Sequence, residues 1–140
     1  MIIADTGFFL ALANSRDEHH PAAKRALTAL TEALITTWPV LTETCHLMAA
    51  RLGPAAAETF VASAAQGAFE VFALGGEHLP RVLQLMQKYR DLPMDLADAS
   101  LVILAEHLGS GRILSTDRRD FHAYRWKNRR PFHNLMDERP

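Results

Sequence analysis

The chain has 140 residues, 49% of them hydrophobic and 22% charged, with a formal net charge of -1. This size favours one globular domain with its own core and leaves little room for a second, and a charge so near zero excludes polyanion binding through a global positive field. The single cysteine, Cys45, excludes intramolecular disulfides and multi-cysteine zinc sites and fits a reducing, cytoplasmic setting, while no basic leader precedes an apolar run and no stretch nears the ~20 apolar residues that cross a bilayer, which argues against export and membrane insertion.

Ile2 to Ala4 reads as a short strand ending at Asp5-Thr6-Gly7, after which Phe8, Phe9, Leu10 and Leu12 start a helix. Pro21, suited to a helix's first turn, opens a second helical pattern over Ala22 to Leu34. Leu34-Ile35-Thr36-Thr37 has strand propensity, and from Pro39 the residues Val40, Leu41, Thr44, Leu47, Met48 and Leu52 recur at helical spacing until Gly53-Pro54 stops them. Ala55 to Gln66 is an Ala-rich helix, Phe69 to Leu74 a third strand, and Glu77 to Tyr89 a helix with Leu79, Val82, Leu83 and Met86 on one face. Asp95 to Leu108 is the clearest helix, ended by Gly109-Ser110-Gly111, which reads as a helix stop and turn and not as a phosphate loop. Arg112 to Ser115 is a fourth strand leading into Thr116-Asp117, and Phe132 to Leu135 is a candidate edge strand. No repeat or linker interrupts the series.

Strands separated by one or two helices predict an α/β fold, a three-layer α/β/α sandwich with a mostly parallel central sheet of four or five strands. Such sheets bind ligands beyond the carboxyl ends of their strands. Acids occupy those positions. Asp5 ends the first strand, Glu43 lies about a turn beyond the second, and Asp117 ends the fourth. Asp98 adds another: with Leu101, Ala105 and Leu108 it continues an apolar helical stripe, so it points toward the core. Carboxylates gathered in this way repel one another and raise one another's pKa unless a cation sits among them. All-oxygen donors without a cysteine cluster suit Mg²⁺ or Mn²⁺, and the chemistry implied is phosphodiester hydrolysis by an activated water, with no nucleophilic side chain required.

Asp5-Thr6, Thr42-Glu43, Leu96-Ala97-Asp98-Ala99-Ser100-Leu101 and Thr116-Asp117 followed by Asp120-Phe121 resemble, in order and spacing, the acidic motifs of PIN domains, and the length is similar to that of VapC-type toxins. The resemblance spans nearly the whole chain. It implies a Mg²⁺- or Mn²⁺-dependent endoribonuclease, the toxin half of a toxin–antitoxin pair, acting on structured RNA such as tRNA or rRNA. It further implies a homodimer and inhibition by a cognate antitoxin whose tail enters the acidic groove. By motif position Asp5, Glu43, Asp98 and Asp117 are the metal-binding and catalytic acids, with Asp95 and Asp120 as secondary acids.

Plainer roles compete at each position. Asp5, Asp117 and Asp120 suit caps or turns, Glu43 an ordinary first-turn acid, and Asp95 with Asp98 an N-cap and N3 pair. Thr6 and Thr116 serve either as hydroxyls orienting ligands or as local backbone partners. His19-His20 lies away from the acids, and Cys45-His46 has the wrong spacing to share a metal. Met86, Met94 and the phenylalanines suit core or dimer packing. Arg118, Arg119, Arg125, Lys127, Arg129 and Arg130, with Tyr124 and Trp126 among them, are either an RNA-contacting segment whose aromatics stack bases or a solvated basic loop. Three rival functions are a catalytically inactive PIN-like RNA- or protein-binding module, a housekeeping RNA-processing nuclease without an antitoxin, and a haloacid dehalogenase-type enzyme. The last uses a second Asp two positions after the first, where this chain has Gly7.

Overall fold

The computed structural model describes residues 1–137. In chain order the elements are Ile2–Ala4 (β1), Thr6–Ala13 (α1), His20–Ala29 (α2), Leu34–Thr37 (β2), Trp38–Leu52 (α3), Pro54–Ala65 (α4), Glu70–Phe72 (β3), Leu79–Lys88 (α5), Leu96–Leu108 (α6), Arg112–Leu114 (β4), Arg118–Ala123 (α7), Arg125–Trp126 (β5), Arg130–Pro131 (β6) and His133–Asn134 (β7). The main sheet has five strands in the order β3-β2-β1-β4-β7, and every neighbouring pair in it is parallel. The chain lays down β1, β2 and β3 in one direction and then places β4 on the other side of β1. The resulting switch point at β1 leaves a crevice where the loops after β1 and β4 diverge.

Strand composition matches this placement. Ile2, Ile3 and Ala4 are buried on both sides of the sheet, as are Leu34 and Ile35, the continuous apolar character expected of central parallel strands. Residues buried this completely contribute about 1.5–3 kcal/mol each for the larger aliphatic side chains. α6, backed by α5, packs on β1 and β2, while α1 packs with α2 and α3, and α3 with α4. The predicted α/β sandwich with its parallel sheet is the fold found. Within α6 the run Ala99 to Ala105 is buried without a break, so both flanks of this helix meet other elements. Gly109 ends it in the left-handed conformation at φ 68°, where a Cβ is unfavourable.

The second helix stops at Ala29, short of the predicted Leu34. Glu32 accounts for the difference: its carboxylate pairs with the Met1 ammonium and the Arg112 guanidinium, which holds the segment as a connection into β2. The sequence pattern also did not resolve α7 or the β5–β6 hairpin. Phe132 to Leu135 does contain an edge strand, β7, which pairs with β4 in parallel. Among the described residues no helix is long and apolar enough to cross a membrane.

Candidate active site

β1 and β4 lie side by side with Ala4 opposite Leu114, so Asp5 and Ser115 leave the sheet together. Asp5 is 8% exposed. Its Oδ1 accepts the Thr6 N–H at 2.7 Å and its Oδ2 accepts the Ser115 hydroxyl at 2.9 Å. Burial raises its pKa from 3.8 to about 6 in spite of these two donors, and the nearby charges of Glu43 and Asp117 push the same way. Gly7 permits the close approach of the two loops. A Cβ there would stand 1.9 Å from Thr116 Oγ1, so the position that would carry the second acid of a dehalogenase-type site has no room for a side chain.

α3 supplies the next acid. Thr37 caps its N-terminus, and Glu43, Leu47 and Arg51, each four residues apart, project from one face into the same cleft. Burial, then Asp95, raises the Glu43 pKa. On α6, Asp95 and Asp98 form a reciprocal capping box: Asp95 accepts the Asp98 N–H at 2.8 Å, and Asp98 accepts the Asp95 N–H at 3.4 Å. The capping role is therefore real, and it coexists with an inward-facing carboxylate. Asp98 Oδ2 also accepts the hydroxyl of Tyr124 at 3.2 Å. Burial above all, then the charges of Asp95 and Asp5, lifts the Asp98 pKa to about 8. The Tyr124 hydroxyl is itself pushed well above its usual range by burial and by Asp98.

Asp117 caps α7 by accepting the Asp120 N–H at 3.1 Å. Ser115 links it to Asp5, because the serine oxygen accepts the Asp117 N–H at 3.0 Å while its proton goes to Asp5. Asp120 is raised by burial and by Asp117. All six acids line one cleft of about 320 Å³, together with Thr6, Thr116 and Arg51. Thus Asp5, Glu43, Asp98 and Asp117 do converge, with the two secondary acids beside them.

The donor set fits a hard divalent cation. Every carboxylate is an oxygen donor, and three of the four principal acids have raised proton affinity, from burial first and from neighbouring carboxylates second, so a cation among them would offset both costs. Among the described residues no three potential ligands are already closed around one point. The fit therefore rests on the all-oxygen donor chemistry of the cleft, which suits Mg²⁺ or Mn²⁺, ions that retain water and take only part of their shell from protein.

Several sequence expectations change. Tyr124 is fully buried and Trp126 is 6% exposed, so neither is a platform for an RNA base. Tyr124 instead packs edge-on against Tyr89 and Phe121. Of the basic run, Arg118 pairs with Asp137 and Arg119 lies 4.0 Å from Asp120, while Arg125 donates to the carbonyls of His122, Ala123 and Tyr124. Thr6 is buried, lines the cleft, and accepts from the Thr44 hydroxyl of α3 at 3.3 Å, a long-range side-chain contact in place of a local backbone one. His20 bonds the Ala11 carbonyl, and Cys45 is a partly buried thiol whose pKa is raised by burial. Ser115 and Arg51 were not singled out from sequence. The spacing Glu43, Leu47, Arg51 carried a signal for the arginine; nothing local distinguished the serine.

A family profile described as "PIN domain" matches residues 2–127 of the chain. The chain is 31% identical over 124 residues to "Ribonuclease VapC26" of Mycobacterium tuberculosis (strain ATCC 25618 / H37Rv), covering 89% of this chain and 92% of that protein. Among solved structures it is similar to Mycobacterium tuberculosis VapC20, described as a sarcin-ricin loop cleaving toxin, with a TM-score of 0.79, 23% identity and coverage of 85% of this chain and 92% of that one. A toxin-antitoxin complex from Klebsiella pneumoniae aligns with a TM-score of 0.64 at 19% identity, covering 88% and 92%. At those identities the two structures establish a shared fold.

Proposed function

The chain belongs to the PIN-domain family, and from that premise we propose that it is a divalent-metal-dependent endoribonuclease serving as the toxin of a toxin–antitoxin pair. The observation that carries this reading is the convergence of Asp5, Glu43, Asp98 and Asp117 on one cleft at the carboxyl edge of the sheet. A 31% identical relative named as a ribonuclease supports the reaction class.

These four acids would hold Mg²⁺ or Mn²⁺. When bound, such an ion supplies Lewis acidity, lowers the pKa of water and offsets phosphate charge. The protein's part is placement. Asp5 is fixed by Thr6 and Ser115, Asp98 by Asp95 and Tyr124, and Asp117 by Ser115 and the start of α7. Fixed ligands need little reorganisation when substrate arrives. Arg51, exposed on the cleft wall, brings a positive charge to a phosphate flanking the cleaved one. Glu43, half-buried and closer to bulk solvent than Asp5, is the acid best placed to take a proton from the attacking water.

The substrate in this reading is a structured RNA, tRNA or rRNA, met in the cytoplasm. The protein acts as a homodimer held in check by an antitoxin. Support for the dimer comes from Trp38 at 56% exposure and Leu96 at 46%, large apolar residues on the surface next to Glu43 and Asp95. Light scattering of the purified chain tests the dimer.

The decisive experiment is cleavage of total cellular RNA by antitoxin-free protein with Mg²⁺ or Mn²⁺, with EDTA, and with Asp98→Ala. Discrete fragments that vanish with EDTA and with the variant are expected. Folded protein that cleaves nothing under any metal condition would overturn the assignment in favour of a binding module.

A further inference from the structure

The segment after Asp117 returns along α6. Tyr124 reaches Asp98 in the first turn of this helix, and the backbone N–H of Lys127 donates to Glu106 in its last turn at 2.6 Å. Eight residues of helix separate those anchors, about 12 Å at 1.5 Å per residue. β5 runs between them, and beyond Lys127 the chain turns back as β6 to close a hairpin, with Arg125 opposite Pro131 and Trp126 opposite Arg130. The hairpin starts at the acidic cleft and ends in a basic tip.

That tip is rigid. Arg81 grips the Glu106 carboxylate through two nitrogens at 3.0 and 2.8 Å and also donates to Asn128, so the nearest acid already has a partner. Trp126 is clamped by its indole N–H on the Pro131 carbonyl at 3.0 Å and by contact with Gly111. Lys127 and Arg130 both lie over its ring, at 5.8 and 5.5 Å from the centroid. Lys127, Arg129 and Arg130 are exposed, and the ion pairs among the described residues involve other basic groups. Among the described residues, three cations thus crowd one small turn whose neighbouring acid, Glu106, is already paired with Arg81.

The backbone deepens the anomaly. Lys127 and Asn128 have φ of 49° and 61°, and Arg129 N–H closes the turn on the Trp126 carbonyl at 3.3 Å. Asparagine tolerates this left-handed geometry, whereas lysine is strained there, and Asn or Gly is the usual choice. A strained residue adding repulsive charge is a poor structural solution. It is a good one if an anion binds, because the hairpin then presents three phosphate partners on one turn.

We propose that the β5–β6 tip, through Lys127, Arg129 and Arg130, is a second binding surface for the RNA backbone, about 12 Å along α6 from the acids. The inference rests on the ribonuclease reading and deepens it: substrate is held at phosphates remote from the cleaved one. RNA is favoured over an acidic protein because the hairpin leads directly into the carboxylate cleft, where a polynucleotide alone would have business at both ends.

The test is fluorescence anisotropy in EDTA, where no cleavage occurs, with the full chain and a labelled stem–loop oligoribonucleotide over a salt series. The variant is Lys127→Asn, Arg129→Gln and Arg130→Gln together; asparagine suits the turn, and thermal unfolding checks the fold. The expected result is weaker binding, by tenfold or more at low salt, with the slope of log affinity against log salt reduced by about 3, one for each phosphate contact. Unchanged affinity and slope would overturn the proposal, as would a loss confined to binding of an acidic partner protein. Cleavage of total RNA by the unmodified chain is run in parallel. Its failure would remove the ribonuclease reading, whereas failure of the binding experiment alone would remove only the hairpin surface.

Discussion

Asp5→Asn is expected to make the metal-free protein more stable at pH 8 while abolishing cleavage. The folded chain holds a proton on Asp5 up to about pH 6, against 3.8 for the free carboxyl. Folding is therefore favoured by this group at low pH, and that contribution is lost as pH rises from 3.8 through the folded value. At about 1.4 kcal/mol per pKa unit, the ionised carboxylate costs the metal-free fold about 3 kcal/mol above pH 6. Asparagine removes the charge and can still accept the Thr6 N–H through its carbonyl. Its amide, however, faces the Ser115 oxygen that already accepts the Asp117 N–H, and that mismatch costs about 1 kcal/mol. The net gain at pH 8 is about 1–2 kcal/mol, or about 0.5–1 M in the urea midpoint for a small domain. Urea unfolding in EDTA at pH 8 and pH 4 measures it, and the advantage should vanish at the lower pH. Mg²⁺ should then stabilise the parent and leave the variant largely unmoved. A variant less stable than the parent at pH 8 without metal would refute the claim that buried charge on Asp5 is uncompensated.

Other outcomes follow from the same geometry. Asp98→Asn should fold and lose metal-dependent cleavage; retained fragments on a denaturing gel would remove Asp98 from the site. Mn²⁺ affinity measured by calorimetry should rise steeply from pH 6 to 8, because ligands must be deprotonated and the two most perturbed acids, Asp5 and Asp98, titrate at about 6 and about 8. A flat profile would contradict those assignments. Tyr124→Phe keeps the ring against Tyr89 and Phe121 but removes the donor to Asp98, so Mn²⁺ affinity should fall about tenfold with a stability loss of about 1 kcal/mol; unchanged affinity would leave Tyr124 a core residue only. Gly7→Ala should cost about 1–3 kcal/mol through its clash with Thr116, and adding Thr116→Ala should recover part of the loss in urea unfolding.

The main frame was legible in the sequence because each signal was local. Ile2-Ile3-Ala4 before Asp5, the helical spacing around Glu43, and the stripe joining Asp98 to Leu101 and Ala105 all express which face meets the core. What escaped depends on distant partners. Glu32 sits among good helix formers, yet its pairing with Met1 and Arg112 takes it out of α2. Tyr124 and Trp126 lie among exposed cations, and only Tyr89, Phe121 and Gly111, contributed by other elements, make them interior. β5 and β6 are two residues each, too short for periodicity to register, although Lys127-Asn128 could have been weighed as a turn. Ser115 has no distinguishing neighbour, and its bridge between two acids exists only because β1 and β4 are adjacent.

That adjacency also decides when the proposed site can be complete. Ile3 pairs with Ile113, a contact between strands far apart in sequence, and such long closures come late in folding. During synthesis Asp5 leaves the ribosome long before its serine partner and Asp117. A nascent chain can contain α1 and α3 while lacking Asp98 and Asp117 of the proposed site. With the acids of the proposed site split in this way, cleavage waits until β4 docks beside β1.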